Sequence, residues 1–512
     1  MKDLANAIFD RIKANRPGSR LPELYETHIS WILLDGDYAW KIKKPVDLAF
    51  VDFSTLDRRR HYCEEEIRLN KRLAPNLYLE VAPITGSPEN PEIEGNGEPI
   101  DYAVKMRRFD SNQLLKTIAS KDELRENHID QLAETIANFH SEIDIADSDS
   151  EFGQANIVWQ AVADCIAPIR RQLTGKDQIH QLEQISNELH DQWLRHKDAW
   201  TCRREQGFIR ECHGDLHLGN ITLIDNRVTV FDGIDFNPNL RWIDVMCEVA
   251  FMVMDLEHHG LRPFAYRLLN RYLELTGDYE GVKLLPFYVA YRALVRAKVA
   301  AIRWNQEYEN GDVPDQEQRD MKTLLDIAAD YAASRKSSLF ITHGMSGSGK
   351  TTATQSILEH LAAIRIRSDV ERKRLVNDDA SSEEKYSELV TNQTYERLAD
   401  VAETVVQTRF PAIIDATFLK KVRRDEFRRI ADRHQIDFVI IDFQAPDELL
   451  QSRVADRAEQ GNDASDADLS ILEMQQRTHE PLENEEHKFV IGFDTTNDQH
   501  QELAAFLRRQ TL

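Results

Sequence analysis

Two short stretches of this chain combine residue types suited to handling phosphate. The first is His213-Gly214-Asp215-Leu216-His217-Leu218-Gly219-Asn220, followed by Val230-Phe231-Asp232-Gly233. Asp215 and Asn220 stand close together on one polar loop. A carboxylate there can take the proton of an acceptor hydroxyl, and a neutral amide oxygen can bind a divalent cation. Phosphoryl transfer also needs a second carboxylate for the cation that bridges the phosphates. Asp232 ends the returning strand, where such a ligand belongs, and Asp235 follows closely enough to compete. The second stretch is Gly344-Met345-Ser346-Gly347-Ser348-Gly349-Lys350-Thr351. Glycines here let backbone N–H groups turn inward around phosphates, and the helix that follows adds its N-terminal dipole. Lys350 would reach the β/γ oxygens, and the Thr351 hydroxyl would sit on Mg²⁺. Gly344, Gly347, Ser348, Gly349 and Thr352 complete the expected nucleotide-binding residues.

The neighbours of the second stretch suggest a kinase more than a motor. Arg367-Ser368-Asp369-Val370-Glu371-Arg372 closes one expected strand, and Ile413-Ile414-Asp415-Ala416-Thr417 closes another. Ligands collect at the carboxyl ends of strands in open parallel sheets. Asp369 is placed as a base for an acceptor hydroxyl, with Arg372 one turn on to hold an anionic group. Asp415 would order Mg²⁺ or orient the acceptor. Arg453 and Arg457 lie four apart, on one helix face. They precede the polar stretch from Glu459 to Asp468, which reads as a lid whose arginines stabilise charge on the transferred phosphoryl group.

These residues need two different scaffolds. Before residue 108 the pattern is strands around one helix: Ile29 to Leu34, Tyr38 to Lys43, a helix from about Leu56 to Leu73, then Tyr78 to Ile84 and Ile100 to Arg107. The Gly/Pro/Asn/Glu-rich stretch from Gly86 to Pro99 reads as a solvated hairpin loop. Residues 122–205 are mostly helical, a strand pair turns at Asp225-Asn226, and helices resume from Ile243 to Arg335. After Ser334–Ser338 the texture becomes alternating strand and helix. Strands are expected at Leu339–Thr342, Ile364–Arg367, Ala412–Asp415, Phe438–Phe443 and Phe489–Phe493, the pattern of a parallel sheet covered by helices. The expected architecture is an α+β bilobal kinase-like domain, residues 1–335, followed by an α/β P-loop domain with a five-stranded parallel sheet, residues 336–512.

Composition agrees. The chain has 512 residues, too many for one ordinary core, and 41% hydrophobic with 30% charged residues suits a globular protein. A formal net charge of -24 disfavours non-specific nucleic-acid binding. The five cysteines form no C-x-x-C, so reduced thiols in the cytoplasm are expected. No apolar run approaches a membrane span, and no membrane partner is expected.

The first stretch resembles the aminoglycoside phosphotransferase and choline kinase branch of the kinase-like superfamily, whose loop reads H-G-D-x-x-x-x-N. The resemblance covers roughly residues 20–330. It implies a lysine on the third N-lobe strand that contacts ATP phosphates and pairs with a helix glutamate. That strand, Tyr38-Ala39-Trp40-Lys41-Ile42-Lys43-Lys44-Pro45, offers Lys41 and Lys43 on one face. Lys41 is preferred slightly, because Lys43 is nearer the strand's end. Glu66 is the best partner, with Glu64 and Glu65 as competitors. Tyr102 to Phe109 would form the hinge that receives adenine, and Asp244 matches a position that braces the catalytic loop. A G-x-G-x-x-G loop and the D-F-G order are both missing. Residues 338 to about 495 resemble P-loop kinases related to polynucleotide kinase, gluconokinase and zeta-type toxins. Together the two halves are similar to a bacterial family described as an aminoglycoside phosphotransferase-like protein fused to an ATP-binding protein. The resemblance implies a bifunctional enzyme that uses ATP and Mg²⁺ to phosphorylate small-molecule hydroxyls. Two alternatives stand beside it: one domain is a nucleotide-binding regulatory module, or the second is a nucleic-acid 5′-hydroxyl kinase or toxin-like kinase.

Overall fold

The computed structural model describes residues 2–15, 21–48, 51–309, 315–376, 382–460 and 467–496, with Leu503 and Leu507. It opens with helix α1 (Lys2–Asn15) and strands β1 (Glu23–Glu26), β2 (Ser30–Asp35), β3 (Tyr38–Lys43), β4 (Asp47–Leu48) and β5 (Val51–Asp52). Helix α2 (Leu56–Asn70) follows, its N-terminus capped by the Thr55 hydroxyl, which accepts from the Arg58 N–H. Then come β6 (Tyr78–Ser87), β7 (Asn90–Ile93) and β8 (Asp101–Arg107). The stretch expected as a solvated loop, Gly86 to Pro99, thus contains a strand. β7 pairs with the end of β6, from Ile84 opposite Ile93 to Ser87 opposite Asn90, and its polar composition suits an edge.

The first sheet is antiparallel, in the order β1-β2-β3-β8-β6-β7. Side chains alternate across its faces. Trp40 and Ile42 of β3 enter a core with Leu4, Ile8, Trp31, Leu33 and Ile84. Ala39, Lys41 and Lys43 therefore face the other way. The two-stranded hairpin that carries Asp232 turns at Asp225 and Asn226, both left-handed (φ 51° and 60°), as a tight hairpin turn demands.

The helical middle comprises α3 (Leu115–Ser120), α4 (Glu126–Glu142), α5 (Ala155–Gln172), α6 (Lys176–Arg195) and α7 (Lys197–Glu205). Short strands β9 (Ile209–Glu211), β10 (Ile221–Ile224), β11 (Arg227–Val230) and β12 (Trp242–Asp244) frame the first motif, with α8 (Pro238–Arg241) between the last two. Next are α9 (Val245–His258), α10 (Arg262–Thr276), α11 (Leu285–Glu309) and α12 (Asp315–Ala332).

The last third alternates as expected: β13 (Ser338–His343), α13 (Lys350–Leu361), β14 (Ile364–Arg367), α14 (Ser368–Leu375), α15 (Ser382–Lys385), α16 (Glu388–Val406), β15 (Ala412–Asp415), α17 (Lys421–His434), β16 (Asp437–Gln444), α18 (Asp447–Gln460), α19 (Leu469–Thr478) and β17 (Val490–Asp494). Its five strands are all parallel, in the order β14-β15-β13-β16-β17. The expected lid falls largely on residues 461–466, outside the described residues. The chain packs as two compact units: residues 1–158 with 200–255, and residues 159–199 with 256–512. Among the described residues no helix is long and apolar enough to cross a membrane. All five cysteines are free thiols, four of them buried.

Candidate functional sites

In the first unit β2, β3 and the end of β8 wall a cavity of about 730 Å³. Ile32, Leu34, Ala39 and Lys41 line it from the sheet, Tyr78 from β6, and Met106 to Asp110 from the connector. Phe109 and Phe231 meet edge to face beneath it, with ring centroids 5.1 Å apart. The expected adenine-receiving segment borders the cavity through its last residues, Met106 to Phe109.

Lys41 and Lys43 both reach Glu66, but they end in different places. Lys41 Nζ donates to Glu66 Oε1 at 2.8 Å and to Asp232 Oδ1 at 2.6 Å, on the cavity wall. Lys43 Nζ donates to Glu66 Oε2 at 2.7 Å and to Asp235 Oδ2 at 2.5 Å, sealed from solvent. Of the three candidate glutamates, Glu66 is the buried one that meets the lysines; Glu65 pairs with Arg68 and Glu64 with Arg60. Burial by itself would raise the Glu66 carboxyl, yet the two ammonium groups pull it down to about 2. Burial pushes Lys41 down, but Asp232 and Glu66 outweigh it and hold it well above its usual range. Burial raises the Asp235 carboxyl even beside Lys43.

Asp232 has left-handed backbone geometry (φ 64°), uncommon outside glycine, and its N–H donates to the Tyr78 hydroxyl. The Gly233 N–H donates to Asn70 Oδ1, which ties this segment to α2. Asp215 is partly exposed. The Asn220 amide nitrogen donates to its carbonyl at 3.0 Å and to its carboxylate at 3.3 Å, and His217 Nε2 lies 3.4 Å from that carboxylate. That arrangement turns the nitrogen of Asn220 toward Asp215 and leaves the amide oxygen on the other branch. An amide oxygen and a carboxylate suit a hard cation. His213 anchors the loop: its Nε2 meets the Phe231 carbonyl at 2.9 Å. The backbone explains the glycine at position 214. Its φ is +89°, and a Cβ would come within 2.7 Å of the Leu240 carbonyl oxygen.

Asp244 makes a buried two-pronged pair with Arg203, 2.7 Å on each arm, and caps the start of α9 through the Met246 N–H. Glu248 and Asp255, further along α9, hold the loop itself. Glu248 Oε1 accepts from the Gly214 N–H at 2.7 Å, and Asp255 Oδ2 accepts from the Leu218 N–H at 2.8 Å. His140 meets the second oxygen of Glu248 at 2.9 Å. The sequence carried a signal for both residues: carboxylates seven apart, so on one face, inside a strongly apolar helix.

In the second unit a cavity of about 1040 Å³ opens at the carboxyl ends of β13, β14 and β15. Gly347, Gly349, Lys350, Thr351, Thr352, Asp369, Arg372, Asp415 and Arg453 all line it. Gly344 and Ser348 shape the loop from behind: a Cβ on Gly344 would come within 2.7 Å of the Phe443 carbonyl oxygen, and the Ser348 hydroxyl accepts from Lys350 at 3.3 Å. Lys350 also donates to the carbonyls of Gly344 and Met345, so it rests against its own loop. Gln475 of α19 grips Ser346 with both amide atoms, a contact that no local pattern announces. Thr351 and Asp415 supply only oxygen, which again suits a hard cation.

Two arginines of this cavity have partners within it. Arg372 donates to Asp369 itself at 2.8 Å and stacks on Tyr386, rather than standing apart to await an anion. Arg453 spans the Gly347 carbonyl and Thr495, which places it against the loop backbone. The side chain of Arg457 lies outside the described residues.

Parts of this chain are similar to known proteins. An uncharacterized protein of Mycobacterium tuberculosis (strain ATCC 25618 / H37Rv) is 29% identical over 460 residues, covering 86% of this chain and 88% of that protein. Among solved structures, a choline/ethanolamine kinase family protein from Mesorhizobium loti aligns over 65% of this chain and 98% of its own, at 11% identity and a TM-score of 0.38. A gluconokinase from Sinorhizobium meliloti aligns over 35% of this chain and 95% of its own, at 18% identity and a TM-score of 0.25. Residues 48–285 match the model of the phosphotransferase enzyme family, and residues 339–482 match that of an AAA domain. The chain thus joins a phosphotransferase-family domain to a P-loop domain.

Proposed function

We propose that this chain is a bifunctional phosphotransferase in the cytoplasm, each domain moving the γ-phosphoryl group of ATP to the hydroxyl of a small molecule. The domains are residues 1–335 and 336–512. The observation that carries this reading is that each of two cavities has its own lysine and its own carboxylates: Lys41 with Asp232 in one, Lys350 with Asp369 and Asp415 in the other. A single nucleotide site would need one such set.

In the first site Lys41, held by Glu66, contacts the ATP phosphates, and Asn220 and Asp232 hold Mg²⁺. Asp215 accepts the proton of the acceptor hydroxyl as its oxygen bonds to the γ-phosphorus and the bond to ADP breaks. In the second site the loop N–H groups and Lys350 hold the phosphates, while Thr351 and Asp415 hold Mg²⁺. Asp369 serves as base, with Arg372 released from it to bind an anionic part of the acceptor. Arg453 and Arg457 offset charge on the transferred group. Mg²⁺, when bound in either site, would supply positive charge to offset that of the phosphates.

The test is ADP release from ATP in a metabolite extract, with Asp215→Ala and Lys350→Ala made separately. Asp215→Ala lowers the first activity by about 10²–10⁴ and leaves the second. If either single change removes all turnover, two independent enzymes are ruled out.

A further inference from the structure

Strand β14 is the outermost strand of the parallel sheet, so its outer edge presents backbone groups that need partners. Asn270, a buried residue of α10, supplies them. Its Nδ2 donates to the Ala363 carbonyl at 2.8 Å, and its Oδ1 accepts from the Arg365 N–H at 2.6 Å. One side-chain amide stands in for a residue of a sixth strand.

Glu274 lies one turn further along α10, on the same face. Its Oε1 accepts from Arg365 Nη2 at 2.7 Å and Nε at 3.2 Å, and its Oε2 lies 3.5 Å from Arg367 Nη1. Burial would raise this carboxyl, but the Arg365 and Arg367 guanidinium groups bring it below its usual range, so it is anionic at neutral pH. The remaining arm of Arg365 points to the phosphate loop's helix. Nη1 donates to the Thr351 carbonyl at 3.2 Å and to the Thr354 hydroxyl at 3.3 Å. That hydroxyl in turn lies 3.3 Å from Asp415 Oδ2 and 3.1 Å from the Thr351 carbonyl. A buried polar relay therefore runs from Glu274 through Arg365 to Thr351, Thr354 and Asp415. It ends at the Asp415 carboxylate and at the backbone of Thr351, the two residues assigned above to the cation.

We propose that Glu274 is a positioning residue of the P-loop site: by fixing Arg365 it sets the placement of Thr351 and Asp415, and hence the affinity of the site for Mg²⁺. The inference rests on the reading of Thr351 and Asp415 as the cation's ligands. It adds that a helix about seventy residues before the phosphate loop governs that cation. Partners that orient metal ligands commonly change metal affinity 10–100-fold when removed.

The test uses the full chain with Asp232→Asn in every arm, so that the first site lacks its cation carboxylate. Mn²⁺ binding in saturating ADP is followed by electron paramagnetic resonance, alongside ADP binding without metal. Glu274→Gln is expected to weaken Mn²⁺ binding about tenfold and to leave metal-free ADP binding unchanged. Thr354→Val, which cuts the relay without disturbing the ion pair, is expected to do the same, and it decides the question alone if Glu274→Gln fails to fold. Thr351→Ala serves as reference. If Thr351→Ala abolishes Mn²⁺ binding while the two relay variants bind as the parent does, the proposal is overturned and the P-loop reading stands. If the relay variants weaken ADP equally with and without metal, their role is packing and the proposal falls. If Thr351→Ala changes nothing, the assignment of the cation ligands falls, and the proposal with it.

Discussion

Lys41 and Lys43 share a strand face and a glutamate, yet removing them should have opposite signatures. Lys43→Met leaves Asp235 buried without its cation. Lys43, Glu66 and Asp235 are all nearly sealed from water, at 1%, 1% and 7% side-chain exposure. Breaking such a pair costs about 3–5 kcal/mol. Asp235 can soften the cost by taking up a proton, and burial already pushes its carboxyl upward. A penalty of about 3 kcal/mol lowers the unfolding midpoint of a unit this size by roughly 6–12 °C. The sign of its pH dependence follows. In the variant the folded Asp235 has a raised pKa, so stability is kept at low pH and lost as pH rises through that value. The gap from the parent should widen as pH rises above the ordinary carboxylate range. Lys41→Met differs because Asp232 is 45% exposed and rehydrates. Its stability cost should stay near 1 kcal/mol, while activity at the first site falls by about 10²–10³ through loss of charge stabilisation. Thermal unfolding at three pH values and ADP release on the same samples measure both. Equal destabilisation by the two substitutions, or equal loss of activity, would refute the division of labour.

Other outcomes follow from the same geometry. A Glu66 carboxyl moved from 4.5 to about 2 contributes roughly 3 kcal/mol. Because its folded value is depressed, that stability is present above pH 4.5 and disappears as pH falls toward 2; Glu66→Gln should flatten this acid limb in urea titrations. Glu248→Ala frees the Gly214 N–H and should lower turnover at the first site about 10²-fold, with ATP affinity little changed in a fluorescent-nucleotide titration. Asn270→Leu strips the Ala363 carbonyl and the Arg365 N–H, at the edge of β14, of their partner and should destabilise the second unit by about 2–4 kcal/mol in calorimetry.

Local chemistry was legible in the sequence wherever spacing fixes it. The strands that end at Arg367 and Asp415 lie where alternation placed them, and Lys350, Thr351 and Asp415 meet in one cavity. What stayed hidden depends on partners far along the chain. Lys41 and Lys43 cannot be told apart on one strand face, because the difference lies in which carboxylate, Asp232 or Asp235, closes over each ammonium. Arg372 reads as an anion binder until Asp369, three residues away, occupies it. β7 was missed because its composition is polar, as an edge permits.

The sequence also changes texture near Ser334–Ser338, where helices give way to alternating strands. Packing follows different rules. An edge strand must have its backbone groups satisfied and its buried arginine neutralised, and the element that does both lies directly against that edge. Here that is α10, through Asn270 and Glu274. A break in pattern marks where one motif ends; a hydrogen-bond ledger marks what a sheet needs in order to stand. Residues 256–335 stand before the break in pattern and inside the compact unit that carries the phosphate loop. A truncation at residue 336 would therefore expose the β14 edge and leave Arg365 buried without Glu274. Such a fragment should show weaker cation binding and a tendency to associate through that edge. A fragment beginning at residue 256 retains both partners and should show neither.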